Sequence, residues 1–288
     1  MKKNCVYING RFVSEEKAVV SVFDRGFSYG DGVFETIKAY NGGPAFLTEH
    51  MERLKGGVKI LGFNRAGLKD FFKEINNGLI KKLLIKNGLG ASTARLRITI
   101  TRGVDRCGFL PQQNLKPTVI ITAREVDEKR VKEAQKKGIA IITVKEFRPA
   151  LPGIKSLNML PNLLARIMAG NQGASEAVFV NNDMTMREGT TSNIFMVKDG
   201  VIKTPPFHGG VFSADILPGV TRGVVLQLAG ESGFAHSEER IFLTDLMESD
   251  EVFITNSISE VVPVTAVDSK AIGAGAPGPV TRLMQKSY

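Results

Sequence analysis

The sequence predicts a mixed α/β fold of α+β type in two domains, and three features predict it. Apolar or alternating runs broken by Asn-Gly and Asp-Gly pairs mark antiparallel hairpins. Between them lie longer segments with apolar residues every three or four positions, the helical period. A charged stretch, residues 124–137, lacks a buried face of its own until Val131 and Ala134 and supplies the linker candidate. The expected division is a smaller N-terminal domain over 1–123, a linker over 124–132 and a larger C-terminal domain over 133–288.

The elements follow in order. Cys5–Ile8, Asn9-Gly10 and Arg11–Val13 read as strand, tight turn and strand. Asn41-Gly42 is a second turn, between strands at Val33–Tyr40 and Ala45–Leu47. Residues 48–61 predict a helix, with Thr48 as N-cap, Met51, Leu54, Val58 and Leu61 on one face, and Gly62 as the stop. A second helix is expected over 67–87, then strands at Arg95–Arg102 and Thr118–Arg124, both rich in β-branched residues. Beyond the linker, a strand at Ile139–Val144 precedes the loop-like Arg148-Pro149-Ala150-Leu151-Pro152-Gly153. A helical pattern follows (Leu160, Leu163, Leu164, Ile167, Met168). Hairpins turn at Asn182-Asp183 and Asp199-Gly200. A helix covers about 219–231, and strands lie near 251–255 and 261–267.

Composition narrows the classes. With 43% hydrophobic and 23% charged residues, the chain is an ordinary globular protein. No apolar run reaches the roughly 18–20 residues that span a bilayer, and Met1-Lys2-Lys3-Asn4 leads into a strand-like segment without a signal core. A cytoplasmic location with no membrane partner is expected. Two cysteines, Cys5 and Cys107, exclude a disulfide framework and a cysteine metal cluster. The net charge of +9 is spread out, and its densest cluster, Lys129-Arg130-Val131-Lys132 with Lys136-Lys137, is interleaved with Glu128 and Glu133 like a solvated helix face. Nucleic acid is not expected as a partner.

Several motifs match poorly. Gly273-Ala274-Gly275-Ala276-Pro277-Gly278 fits G-x-G-x-x-G, but the few residues from there to Tyr288 leave no room for a βαβ unit. His50, His208 and His236 are far apart without ligand spacing, so no metal is expected. No G-x-S-x-G elbow occurs.

Lys155 carries more information. It lies in Gly153-Ile154-Lys155-Ser156-Leu157-Asn158, where loop gives way to helix. Burial disfavours an ammonium, and a neutral amine is a nucleophile able to form a Schiff base. Other groups suit a phosphorylated heterocycle. Glu188, in Met186-Arg187-Glu188-Gly189-Thr190-Thr191-Ser192-Asn193, is an acid that could hold a proton on a ring nitrogen, although an isolated glutamate at a strand end is ordinarily just solvated. Arg53 offers a planar fork for phosphate, or a pair with Glu49 at i,i+4 spacing. Leu217-Pro218-Gly219-Val220-Thr221 opens a helix whose free N–H groups suit an anion. Thr255-Asn256-Ser257-Ile258-Ser259 adds hydroxyls, as any polar turn would.

In series these motifs resemble the class IV, or fold-type IV, pyridoxal-phosphate aminotransferases. The resemblance runs from Asp24-Arg25-Gly26-Phe27 and Tyr29-Gly30-Asp31-Gly32-Val33-Phe34-Glu35 through Glu260-Val261-Val262-Pro263-Val264. It implies pyridoxal 5'-phosphate as cofactor, Lys155 as the Schiff-base lysine and Glu188 on the pyridine nitrogen. Arg53, Val220, Thr221 and Ser257 become phosphate ligands, and Phe34, Arg97, Arg106 and Ile258 substrate-pocket residues. It also implies an amino acid and a 2-oxo acid as substrates, and a homodimer or higher homo-oligomer.

The substrate signature is mixed. Phe34 and Arg97 look like branched-chain amino-acid aminotransferases. Those enzymes usually carry a tyrosine where Met159 stands and often a glycine at Thr36, and Met159 cannot donate a hydroxyl hydrogen bond. Lys155-Ser156-Leu157-Asn158 is closer to D-amino-acid aminotransferases, but the histidine of their loop is missing from Arg106-Cys107-Gly108. The expected reaction is transamination between a branched-chain L-amino acid (Leu, Ile or Val) and 2-oxoglutarate. A D-amino-acid aminotransferase and an aminodeoxychorismate lyase are the alternatives, and a noncatalytic nucleic-acid binder is a remote one.

Overall fold

The computed structural model describes residues 4–147, 149, 151–207 and 210–288. Arg148, Ala150 and His208, read above as loop and as an isolated histidine, lie outside the described residues. The chain forms two compact units. The first comprises residues up to Val126 together with Ile154–Asn158, and the second Asp127–Gly153 with Met159–Tyr288.

In the first unit the elements are β1 (Cys5–Ile8), β2 (Arg11–Ser14), α1 (Arg25–Tyr29), β3 (Gly32–Tyr40), β4 (Gly43–Pro44), α2 (Leu47–Ile60), α3 (Lys69–Asn76), α4 (Leu79–Lys86), β5 (Ala94–Thr101) and β6 (Thr118–Glu125). Six strands pair antiparallel in the order β2-β1-β6-β5-β3-β4. The β1–β2 turn has Asn9 and Gly10 both at positive φ, 48° and 86°. That is the primed turn whose twist matches a two-residue hairpin. Ile37, Leu96, Ile98, Ile100 and Ile121 on the sheet and Leu54, Leu68, Leu83 and Leu84 on the helices are fully or almost fully buried.

Three expectations for this unit change. The strand after Asn41-Gly42 is the short β4, and α2 begins at Leu47 with Phe46 at its N-cap, at φ 50° and without a side-chain cap. Thr48 is therefore inside the helix. The helix expected over 67–87 is two, because Gly78 at φ 84° breaks it after Asn77. The break lets Ile75 and Leu79 both reach the core, which one straight helix could not do for the whole run.

The second unit contains α5 (Glu128–Lys137), β7 (Ile139–Val144), α6 (Leu160–Asn171), β8 (Glu176–Val180), β9 (Met186–Gly189), β10 (Asn193–Lys198), β11 (Val201–Thr204), α7 (Val220–Glu231), β12 (His236–Glu238), α8 (Leu243–Met247), β13 (Glu251–Asn256), β14 (Glu260–Val267), β15 (Lys270–Ala271) and α9 (Pro279–Ser287). Thus residues 124–132 include the end of β6 and the start of α5. The sheet order is β12-β11-β10-β13-β14-β7-β8-β9, with β15 beside β14. β14–β7, β7–β8 and β11–β12 are parallel and the other pairs antiparallel. Both faces of its centre are buried. Ile194, Met196, Val252 and Ile254 belong to one apolar cluster, and Phe195, Val197 and Phe253 to the other. A sheet covered on both faces needs apolar residues at every position, which explains the unbroken run Ile194–Val197.

Helix α6 reverses the expectation for its apolar stripe. Asn162, Ala165 and Ala169 face inward, and the alanines pack with Ile142, Val144, Ala177 and Phe179. Leu160, Leu163, Leu164 and Ile167 are 37–64% exposed. Small residues let the helix approach β7 and β8 closely, which leaves the larger apolar side chains outside. No helix among the described residues is long and apolar enough to cross a membrane.

The rings of Phe195 and Phe253 stack 4.8 Å apart with an interplanar angle of 7°, both fully buried. Phe195→Ala is expected to cost about 3–5 kcal/mol, read as a shift in the urea unfolding midpoint. A loss below about 1 kcal/mol would mean that the site collapses around the deletion.

Candidate active site

In the first unit the central side chains come from β3, β5, α2 and residues 154–158. An isolated antiparallel bridge joins Val33 to Ser156. The Phe34 N–H donates to the Lys155 carbonyl at 2.9 Å, and the Leu157 N–H to the Gly32 carbonyl at 3.0 Å. These bonds extend the sheet locally and place Lys155, expected within the 133–288 part, on the first unit. Its side chain is half-buried, with Nζ 4.6 Å from the centroid of the buried Phe34 ring. The Arg97 guanidinium lies over the same ring at 3.8 Å. The register explains the meeting: Phe34 pairs with Thr99 and Thr36 with Arg97, so Phe34 and Arg97 are diagonal neighbours on one face. Burial, then the nearby Arg95 charge, pulls the Arg97 pKa below its usual value.

Glu35 points to the opposite face of the pleat, among Val33, Ile37 and Ala39. It is fully buried. Arg53 donates through Nε to Oε1 and through Nη2 to Oε2, both at 2.7 Å, and His50 Nδ1 lies 2.7 Å from Oε2. A carboxylate can only accept, so His50 carries its proton on Nδ1. Burial alone would raise the Glu35 pKa, but the hydrogen bonds and charges of Arg53 and His50 outweigh it and hold it at about 2. Arg53 therefore pairs with Glu35 on β3, a partner outside its own helix. In the sequence Glu35 stands only within the motif Tyr29–Glu35, with no role of its own, and His50 enters only as an isolated histidine. The signal was present, since Glu35 shares the even spacing of Val33, Ile37 and Ala39 and so had to be a buried acid.

Arg106 is exposed on the loop after β5, its guanidinium 5.1 Å from the Phe23 ring. Arg25 fixes that loop, donating to the carbonyls of Gly108 at 2.8 Å and Phe109 at 2.7 Å.

In the second unit Glu188, at the end of β9, is buried. Its Oε2 accepts from the Leu217 N–H at 2.8 Å and from Asn193 Nδ2 at 3.4 Å. Asn193 Nδ2 also donates to the Leu217 carbonyl at 3.0 Å. The acid is thereby tied to the loop entering α7. Gly219 is the N-cap of α7 and supplies no side-chain cap, leaving first-turn N–H groups for another acceptor. A Cβ at Gly219 would fall 1.9 Å from Asn193 Oδ1, so only glycine permits this approach. Val220 and Thr221 open the helix, and the hydroxyls of Thr221 and Thr255 are buried with no hydrogen-bond partner among the described residues. Thr221 is near enough to Tyr288 to lower the pKa of that phenol against a larger upward push from burial, but the contact does not meet hydrogen-bond geometry. Ser257 and Ile258 are half-buried on the β13–β14 turn. The Asn256 side chain holds that turn by accepting from the N–H groups of Ile258 at 2.9 Å and Ser259 at 2.7 Å. Asn193 is not among the candidate site residues read from the sequence, and Thr255 enters there only within a polar turn; the pairing of Asn193 with Thr255 across β10 and β13 brings them side by side.

The model of amino-transferase class IV matches residues 32–267. A Methanocaldococcus jannaschii protein named "putative branched-chain-amino-acid aminotransferase" is 38% identical over 98% of this chain and 94% of its own length. The D-alanine aminotransferase of Bacillus licheniformis is 36% identical over 97% of this chain and 94% of its own length. Among solved structures, the branched-chain amino acid aminotransferase of Escherichia coli superposes with a TM-score of 0.88. It is 32% identical and covers 99% of this chain and 93% of that one. The chain belongs to the class IV aminotransferase family, and its fold is the fold-type IV architecture.

The low Glu35 pKa makes a pH prediction. A carboxyl depressed when folded stabilises the fold above its ordinary pKa of about 4.5, and that contribution is lost as pH falls toward about 2. Across this window the wild type should lose on the order of 3 kcal/mol more than Glu35→Gln. Urea unfolding of both proteins at stepped pH measures the difference, and parallel profiles would refute it.

Proposed function

We propose that this enzyme transfers the amino group of a branched-chain L-amino acid to 2-oxoglutarate, using pyridoxal phosphate and Lys155. The observation that carries the reading is the cluster on Phe34: an amine and a guanidinium on one buried aromatic wall. The amine suits proton transfer, the guanidinium a substrate carboxylate, and the apolar ring an aliphatic side chain.

The residues of the second unit fit the cofactor. The uncapped start of α7, with the unpartnered hydroxyls of Thr221 and Thr255, suits a phosphate dianion. The Glu188 carboxylate suits a protonated ring nitrogen. When bound, pyridoxal phosphate supplies a carbonyl carbon for an amine and a ring that withdraws electrons from the substrate α-carbon.

The chain's own groups then divide the work. Lys155 Nζ takes the substrate α-proton and holds it for return, while Phe34 keeps water from one side of the amine. In the first unit Arg97 and Arg106 suit a substrate carboxylate, and in the second Ile258 suits an aliphatic side chain. Glu188, fixed by Leu217 and Asn193, keeps the ring nitrogen protonated. In the second unit Val220 and Thr221 at the start of α7 and Ser257 would donate hydrogen bonds to a phosphate; in the first, the Arg53 guanidinium, oriented by Glu35, is a cation suited to the same kind of anion. The exposed leucine stripe of α6 fits a homodimer, since a contiguous apolar face of this kind is normally covered. A cytoplasmic location is part of the same proposal.

A D-amino-acid specificity is the second reading, favoured by the similarity to D-alanine aminotransferases and by the run Lys155-Ser156-Leu157-Asn158.

Lys155→Ala should lower turnover by at least about 100- to 10,000-fold while the protein remains folded by circular dichroism. Near wild-type turnover would refute the role of Lys155. The wild type, assayed with L-leucine, L-valine, L-isoleucine, D-alanine and aminodeoxychorismate, each with and without 2-oxoglutarate, is expected to prefer the branched-chain L-acids with acceptor present. Activity confined to D-alanine selects the second reading. Pyruvate release from aminodeoxychorismate without acceptor would identify a lyase. Leu163→Glu should halve the mass seen by light scattering, and an unchanged mass would remove α6 from the interface.

A further inference from the structure

A second buried acid lies against the β9–β10 turn. Glu176, at the start of β8, is 1% exposed and takes no part in the chemistry proposed above. Its Oε1 accepts from the Ala177 N–H at 2.9 Å and from the Thr190 hydroxyl, and pairs with Arg166 on α6. Its Oε2 accepts from the hydroxyls of Thr191 at 3.3 Å and Ser192 at 3.1 Å. Three consecutive hydroxyls of the β9–β10 turn thus converge on one carboxylate. Asn162 holds the same turn from α6, donating to the Thr190 carbonyl at 2.9 Å.

This exceeds what closing the turn requires. The Gly189 N–H already donates to the Ser192 carbonyl at 2.7 Å, and the Thr190 N–H to the Ala177 carbonyl at 3.0 Å. The residues flanking the turn are Glu188 on one side and Asn193 on the other, and Asn193 reaches back to Glu188. The separation and angle of those two side chains depend on the turn between them. A carboxylate accepts at both oxygens, whereas an amide in its place accepts at only one and leaves Arg166 without its charge partner.

We infer that Glu176 is a positioning residue for Glu188: by gathering Thr190, Thr191 and Ser192 it fixes the β9–β10 turn and so the aim of the Glu188 carboxylate. The inference rests on the reading that Glu188 meets the ring nitrogen of the cofactor. The relevant precision is fine, since a displacement of roughly 1 Å at a reacting group costs about 100-fold in rate.

The test loads Glu176→Gln, Arg166→Gln and Glu188→Gln with pyridoxal phosphate. It records the visible absorption band, kcat and KM for the amino acid turned over best by the wild type, and the melting temperature. Glu176→Gln should shift the band in the same direction as Glu188→Gln. Its kcat should fall about 10- to 100-fold, with KM held within about twofold. Arg166→Gln, at a half-exposed side chain, should do the same to a smaller degree. Lower melting temperatures with band and kcat unchanged in both would make the Glu176 cluster structural only and overturn the inference. Should Glu176→Gln fail to fold, Arg166→Gln and Ser192→Ala decide by the same two measures. A band and kcat unchanged in Glu188→Gln would refute the ring-nitrogen assignment and the inference with it. An effect in Glu188→Gln without one in Glu176→Gln overturns the role of Glu176 alone.

Discussion

Two backbone hydrogen bonds, Phe34 N–H to Lys155 and Leu157 N–H to Gly32, set the geometry of the candidate site. They bind a segment remote in sequence to the start of β3 as though it were a short extra strand. A lysine side chain on a free loop would pay rotamer and backbone entropy each time it was aligned. Held as a strand, Lys155 has its direction set by the pleat, and the Phe34 ring beneath it limits where Nζ can go. Everything proposed for Lys155, from proton transfer to the choice of substrate side chain, depends on that pairing.

The same logic recurs one layer out. Several of the groups assigned to phosphate and ring nitrogen are held by a polar partner. Glu35 holds Arg53 through two hydrogen bonds, Leu217 and Asn193 hold Glu188, and Asn256 holds the turn that displays Ser257 and Ile258. Such groups are costly to bury and become favourable only when fully hydrogen-bonded. Their concentration around the candidate ligands is consistent with preorganisation, in which the protein meets the cost of orientation on folding and not at each turnover.

Substrate choice is the least constrained property because it depends on weak terms. Phe34 and Arg97 form a wall that suits an aliphatic acid, but one methylene in an apolar pocket distinguishes substrates by only about 1–3 kcal/mol. Relatives named for branched-chain amino acids and for D-alanine match this chain to nearly equal degrees, 38% and 36%. Membership of the class IV family sets the reaction class without setting the side chain or the hand of the substrate.

Local pattern alone determined much of the fold. The Asn9-Gly10 and Asp199-Gly200 hairpins, the β-branched strands and the α7 start were all legible, because turn chemistry and hydrophobic period act over a few residues. The series of motifs around Lys155 and Glu188 likewise carried the family and its cofactor. Tertiary structure decided what depends on partners distant in sequence. It split the 67–87 helix at Gly78, turned the leucines of α6 outward so that Ala165 and Ala169 could pack, and gave Arg53 to Glu35. In each case a local preference met a competing contact, close packing or a buried charge, whose free energy exceeds the few tenths of a kcal/mol at stake in propensity or i,i+4 pairing.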